Sequence, residues 1–133
     1  MKPIIIVAVT LLSAMPMSVR GQQLDLERAE KQFGRYCAKC HGSQGRGDGD
    51  QGATLRQLPK DFTNCPEMAK EPDDRLFDVI KNGGAPVQGQ NSDMPAMGKS
   101  LSDDEMRALV AYTRHFCQPG GSSLARVPAG LGK

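Results

Sequence analysis

Apolar residues recur at helical spacing in three stretches of this 133-residue chain, and no stretch alternates with the two-residue period of a strand. In LDLERAEKQFGRYCAKC, residues 24–40, Leu26, Ala29, Phe33 and Tyr36/Cys37 share one face with charges between them. EPDDRLFDVIKNGG, residues 71–84, has Pro72 at a helix start and acids in the first turn. Its apolar positions are Leu76, Phe77, Val79 and Ile80, and Gly83 suits a C-terminal cap. SLSDDEMRALVAYTRHFC, residues 100–117, opens on Ser102 three residues before Glu105, the spacing of a capping box, with Leu101 and Met106 as its hydrophobic staple. Met106, Leu109, Val110, Thr113 and Phe116/Cys117 then form one long apolar face.

The intervening segments read as loops. Residues 42–52 are glycine-rich and polar, 56–66 contain Pro59 and Pro66, and 82–100 contain four glycines and two prolines. The expected fold is therefore all-α, a few helices joined by long loops. Such loops are unusual in so small a domain and make better sense wrapped around a bound group. Composition points the same way. With no Trp, two Tyr and four Phe, the chain buries a modest core, and a domain of that kind commonly needs a staple, metal or cofactor.

The chain ends read differently from the middle. MKPIIIVAVTLLSAMPMSVRGQQ has a lysine near the start, an uncharged apolar run from Ile4 to about Met17, and small residues Val19 and Gly21 at plausible −3 and −1 positions. That is the layout of a secretory signal peptide over 1–21, and the run is short for a membrane span. One domain is expected over 22–118, and residues 119–133 have linker composition. Export also changes the charge. The formal +2 of the whole chain rests on Lys2 and Arg20, so the remainder is near neutral and carries no basic cluster suited to nucleic acid.

Cys37-Ala38-Lys39-Cys40-His41 is a C-x-x-C-H motif, the pattern of covalent haem c attachment. At helical spacing both sulfurs leave one face and reach the two vinyl groups on one side of a porphyrin. His41, one residue further on, offers an imidazole nitrogen to the iron. Rival readings fit less well. A zinc site needs four ligands, yet Cys65, Cys117 and His115 each stand alone in sequence. A thioredoxin-type pair needs a βαβ context, and a purely structural Cys37–Cys40 bridge leaves the adjacent His41 without a role. GRGDG lacks the preceding strand and the Gly-Lys-Ser/Thr ending of a phosphate loop. The glycines of GSQGRGDGDQG read instead as backbone fitting closely beside the bound group.

CAKCHGSQGRGDG, DFTNC, LFDVIKNGG and MPAMGKSLSDDEMRALVAYTRHF occur in the order found in small soluble class I cytochromes c. The chain resembles that family over about residues 24–117. The resemblance implies the cytochrome c fold, with first and last helices crossing at Ala29 and aromatic contacts from Phe33 and Tyr112. It implies one haem c on Cys37 and Cys40, with His41 and Met94 as the two iron ligands. Met97 is the competitor for the sixth position, its other reading being haem-pocket packing, and Met68, Met106 and His115 are weaker candidates. In related GDGP sequences a proline carbonyl accepts the proximal ring N–H. Asp50 stands at that position here, so the acceptor is open, with Pro59 one candidate.

Cys65 and Cys117 remain once the haem has taken its pair, and an even remainder in an oxidising compartment reads as a disulfide. The expectation is a periplasmic, monomeric electron carrier rather than an enzyme, docking transiently with redox protein partners and not inserted in a membrane after cleavage. Two alternatives stay open. One is an electron-accepting subunit of a larger dehydrogenase or oxidase. The other is a haem enzyme or gas sensor with a labile Met94.

Overall fold

The first apolar stripe extends beyond its pattern. In the computed structural model, which describes residues 17–119 with side chains from Asp25 onward, helix α1 runs Met17–Gln32. It widens into a π-helical turn over Phe33–Cys37, where the Ala38 N–H donates to the Phe33 carbonyl, and tightens again into α2, Ala38–His41. The leader expected over 1–21 lies outside the described residues except for Met17–Gly21, which begin α1. The tail expected over 119–133 lies outside them beyond Pro119.

Two short helices interrupt segments read as loops. In α3, Cys65–Met68, the Asn64 side chain caps the first turn and Pro66 occupies a position where no helical N–H is needed. In α5, Gly84–Gln88, Pro86 again lies within the first turn. A 3₁₀ turn, Gly52–Thr54, adds a third departure from irregular loop. Proline marks helix starts as well as loops, and these short elements offer no periodicity by which to tell the two apart.

The two longer predicted helices form as their patterns require. α4 spans Asp73–Asn82 with Pro72 before it, and Gly83 ends it at φ +83°, a conformation that costs a residue with a Cβ. α6 spans Asp103–His115 behind a complete Ser102/Glu105 capping box. Leu101 and Met106 are both buried, as the staple requires. No strand occurs among the described residues.

The core sits where α1 and the π turn cross α6. Ala29 has no exposed surface and lets the helices approach closely, and Phe33 is 2 % exposed with its ring 5.2 Å from Tyr112 and 5.5 Å from Phe116. Burying a side chain of that size contributes about 2–3 kcal/mol. Met68, Phe77, Leu109 and Val110 complete the cluster. Arg114 on α6 reaches out of it to the Met68 and Glu71 carbonyls and to Asp73, fastening the segment between α3 and α4.

Candidate haem-attachment site

Helix α2 is one turn long and leaves its last carbonyls without helical partners. The glycine loop turns back and supplies them. N–H groups of Gly42, Gln51, Gly49 and Gly47 donate to the carbonyls of Ala38, Lys39, Cys40 and His41 at 2.8, 2.9, 3.1 and 2.8 Å. The glycines therefore fit closely against the backbone of the C-x-x-C-H turn itself, a more local task than the sequence reading gave them.

His41 is 9 % exposed, and its ring stacks on Phe62 at 4.6 Å between centroids. Its Nδ1 lies 3.1 Å from the Lys60 carbonyl. A carbonyl only accepts, so the proton is on Nδ1 and the Nε2 lone pair is left for a metal. The acceptor is thus Lys60, one residue beyond the Pro59 candidate, whose own carbonyl faces Gly47. Burial pushes the His41 imidazole below its ordinary pKa, with the Lys60 hydrogen bond opposing that shift. The Lys60 ammonium in turn pairs with Glu71 at 2.6 Å.

Cys37 and Cys40 are half-buried and not bonded to each other. Burial first, and the neighbouring Cys40 second, push the Cys37 thiol up to about 11, so it is protonated near neutral pH. Cys65 and Cys117 approach with Cα atoms 5.4 Å apart, within the span of a disulfide.

Met94 lies half-buried in an irregular strap, residues 92–97, and its carbonyl accepts from Gly84 N–H at 2.9 Å. Met97 follows, its N–H donating to Ile80, and its side chain packs against the hydrophobic core, which Met94 does not join. Met68 and Met106 are 1 % and 0 % exposed within that core. One loop touches the C-x-x-C-H turn, His41 and the strap of Met94. Gly52 lies against the Cys40 carbonyl, Arg56 holds Asp93 beside Met94, and Lys60 holds His41. Sequence reasoning missed Arg56, Asp93, Phe62 and the Lys60 carbonyl. Only the last had a signal, in the prolyl run that drew attention to Pro59.

The donor set fits a covalently attached haem. Two unpaired thiols sit one turn apart, and a buried imidazole with its Nδ1 already occupied follows them. A helical domain built around this motif is a cytochrome c domain. The chain belongs to the family described as cytochrome c oxidase, cbb3-type, subunit III, whose family model matches residues 24–112. No curated protein matches it. Among the described residues, no helix is long and apolar enough to cross a membrane.

Proposed function

We propose that this chain is an exported, monomeric, single-haem electron carrier with His41 and Met94 as axial ligands, rather than a catalyst of bond making. The observation that carries this is the buried His41, oriented by Lys60 and Phe62 directly after two unpaired cysteines. When bound, haem c supplies one-electron redox chemistry, and a thioether ligand favours the ferrous state. The protein's part is to hold both ligands still and keep water and small molecules off the iron. Packing of Met97 against the core supports Met94 over Met97 as the thioether. The approach of Cys65 and Cys117 supports a second covalent tie, worth at most about 4 kcal/mol for a loop of this length.

Visible spectra of the haem-loaded protein, oxidised and reduced, with and without carbon monoxide, test this reading. The expected result is a covalent haem c that ignores carbon monoxide and loses that indifference in Met94→Ala but not in Met97→Ala. Carbon monoxide binding to the native reduced protein would favour the enzyme or sensor reading instead. The family match favours a second reading, attachment to an oxidase as a subunit. Purification within a stable membrane complex, rather than as a free monomer, would select it.

A further inference from the structure

The strap that carries Met94 has no helix of its own, so what fixes it decides how firmly the thioether is presented. On one side it is held mainly by backbone bonds, with the Ser92 hydroxyl donating to Gln88 at 3.2 Å and the Met97 side chain against the core. Gly84 N–H donates to the Met94 carbonyl, and the Met97 and Gly98 N–H groups donate to Ile80 and Lys81 at 2.8 and 3.0 Å. On the other side stands Asp93, which accepts the Arg56 backbone N–H at 2.8 Å, its Nε at 2.8 Å and its NH2 group at 2.5 Å. Arg56 belongs to the loop whose Lys60 carbonyl orients His41, four residues later.

We infer that Arg56 and Asp93 form a clamp that ties the Met94 strap to the loop positioning His41, and so positions Met94 against that frame. Both are positioning residues. The pairing is charge-assisted and uses both carboxylate oxygens: the Arg56 Nε and NH2 groups converge on Oδ1, and its backbone N–H takes Oδ2. It is also accessible, the Arg56 side chain being 63 % exposed and that of Asp93 25 %. An exposed clamp of this kind leaves the fold intact when it opens, yet frees the residue next to the thioether. Arg56 and Asp93 therefore set how readily Met94 leaves the iron.

The inference rests on Met94 ligation, and the experiment separates the two. The ferric haem-loaded protein is titrated with imidazole, while the weak far-red thioether-to-iron band and the urea midpoint are followed. Arg56→Ala and Asp93→Asn should each raise imidazole affinity about fivefold, the upper range for an exposed ion pair. The double variant should do no more than either single one. High salt, about 1 M, should move the wild type toward the variants. Lys70→Ala breaks another exposed pair, Lys70–Glu67 at 2.6 Å, and should leave imidazole affinity unchanged. A wild-type protein without the far-red band overturns the ligation reading and this inference with it. A wild-type protein with the band, and Arg56 variants that bind imidazole as it does, overturns the clamp alone. So does an equal effect from Lys70→Ala.

Discussion

The turn that carries His41 is held by backbone on several sides, whereas the strap that carries Met94 hangs from a few hydrogen bonds and one surface ion pair. On the histidine side, loop 42–52 satisfies the carbonyls of α2, Phe62 covers the ring, and Lys60 fixes its tautomer. That arrangement is anchored further back, through Lys60 to Glu71 and through Glu71's carbonyl to Arg114 of α6. On the methionine side, residues 92–97 have no regular structure, and Asp93 is their tie to the loop that holds His41. The difference fits the chemistry. Under the proposed ligation, a covalently attached motif must be rigid enough to present its imidazole, while a thioether ligand is replaceable and its retention can be tuned from the surface. Local opening is expected first where buried apolar contacts are few.

The strongest way to break this contrast is to remove its firmest part. Phe62 is 8 % exposed, stacks on His41, and lies 6.2 Å from both Phe33 and Phe116 between ring centroids. Phe62→Ala should cost about 3 kcal/mol in urea denaturation of the haem-loaded protein, because it opens a cavity beneath the imidazole. A loss below about 1 kcal/mol would mean the histidine side is not the rigid one. Next in size is Gly49→Ala. A Cβ there would stand 2.6 Å from the Ala38 carbonyl oxygen and closer still to that of Lys39, with only backbone to give way. About 2 kcal/mol should be lost by the same measurement.

Much of this was legible in the sequence because it is local. The capping box of α6, the Gly83 terminator and the C-x-x-C-H turn are each specified within a few residues. The crossing of α1 with α6, with Ala29, Phe33 and Tyr112 at the contact, was implied by the resemblance to class I cytochromes c, since three apolar stripes alone leave their pairing open. The π turn did not show, because one widened turn leaves the apolar stripe continuous on either side of it. Nor did the Arg56–Asp93 pair, which joins two loops across 37 residues and has no period to betray it. The identity of the His41 acceptor missed by one residue for a related reason. Which carbonyl of a prolyl loop points inward depends on dihedral angles, and composition carries no record of them.

The smallest expected effect gives the sharpest test of the comparison. A Cβ on Gly84 would lie 2.7 Å from the Ser92 Cβ, closer still to its Oγ, and 3.1 Å from the Met94 Cβ. Unlike the carbonyls around Gly49, these atoms belong to a strap that can shift. Alanine also narrows the unfolded chain's conformations relative to glycine, by about 0.4–1 kcal/mol, which offsets part of the strain. Gly84→Ala should therefore change stability by no more than about 1 kcal/mol. What it should change is presentation of the thioether, since the Gly84 N–H···Met94 carbonyl bond must lengthen as the strap moves away. The far-red band should weaken while the urea midpoint scarcely moves. Adding Ser92→Gly removes both Ser92 atoms that obstruct the new Cβ and should restore most of the band. A Gly84→Ala variant as unstable as Gly49→Ala, with its band intact, would show a strap as unyielding as the turn that carries His41.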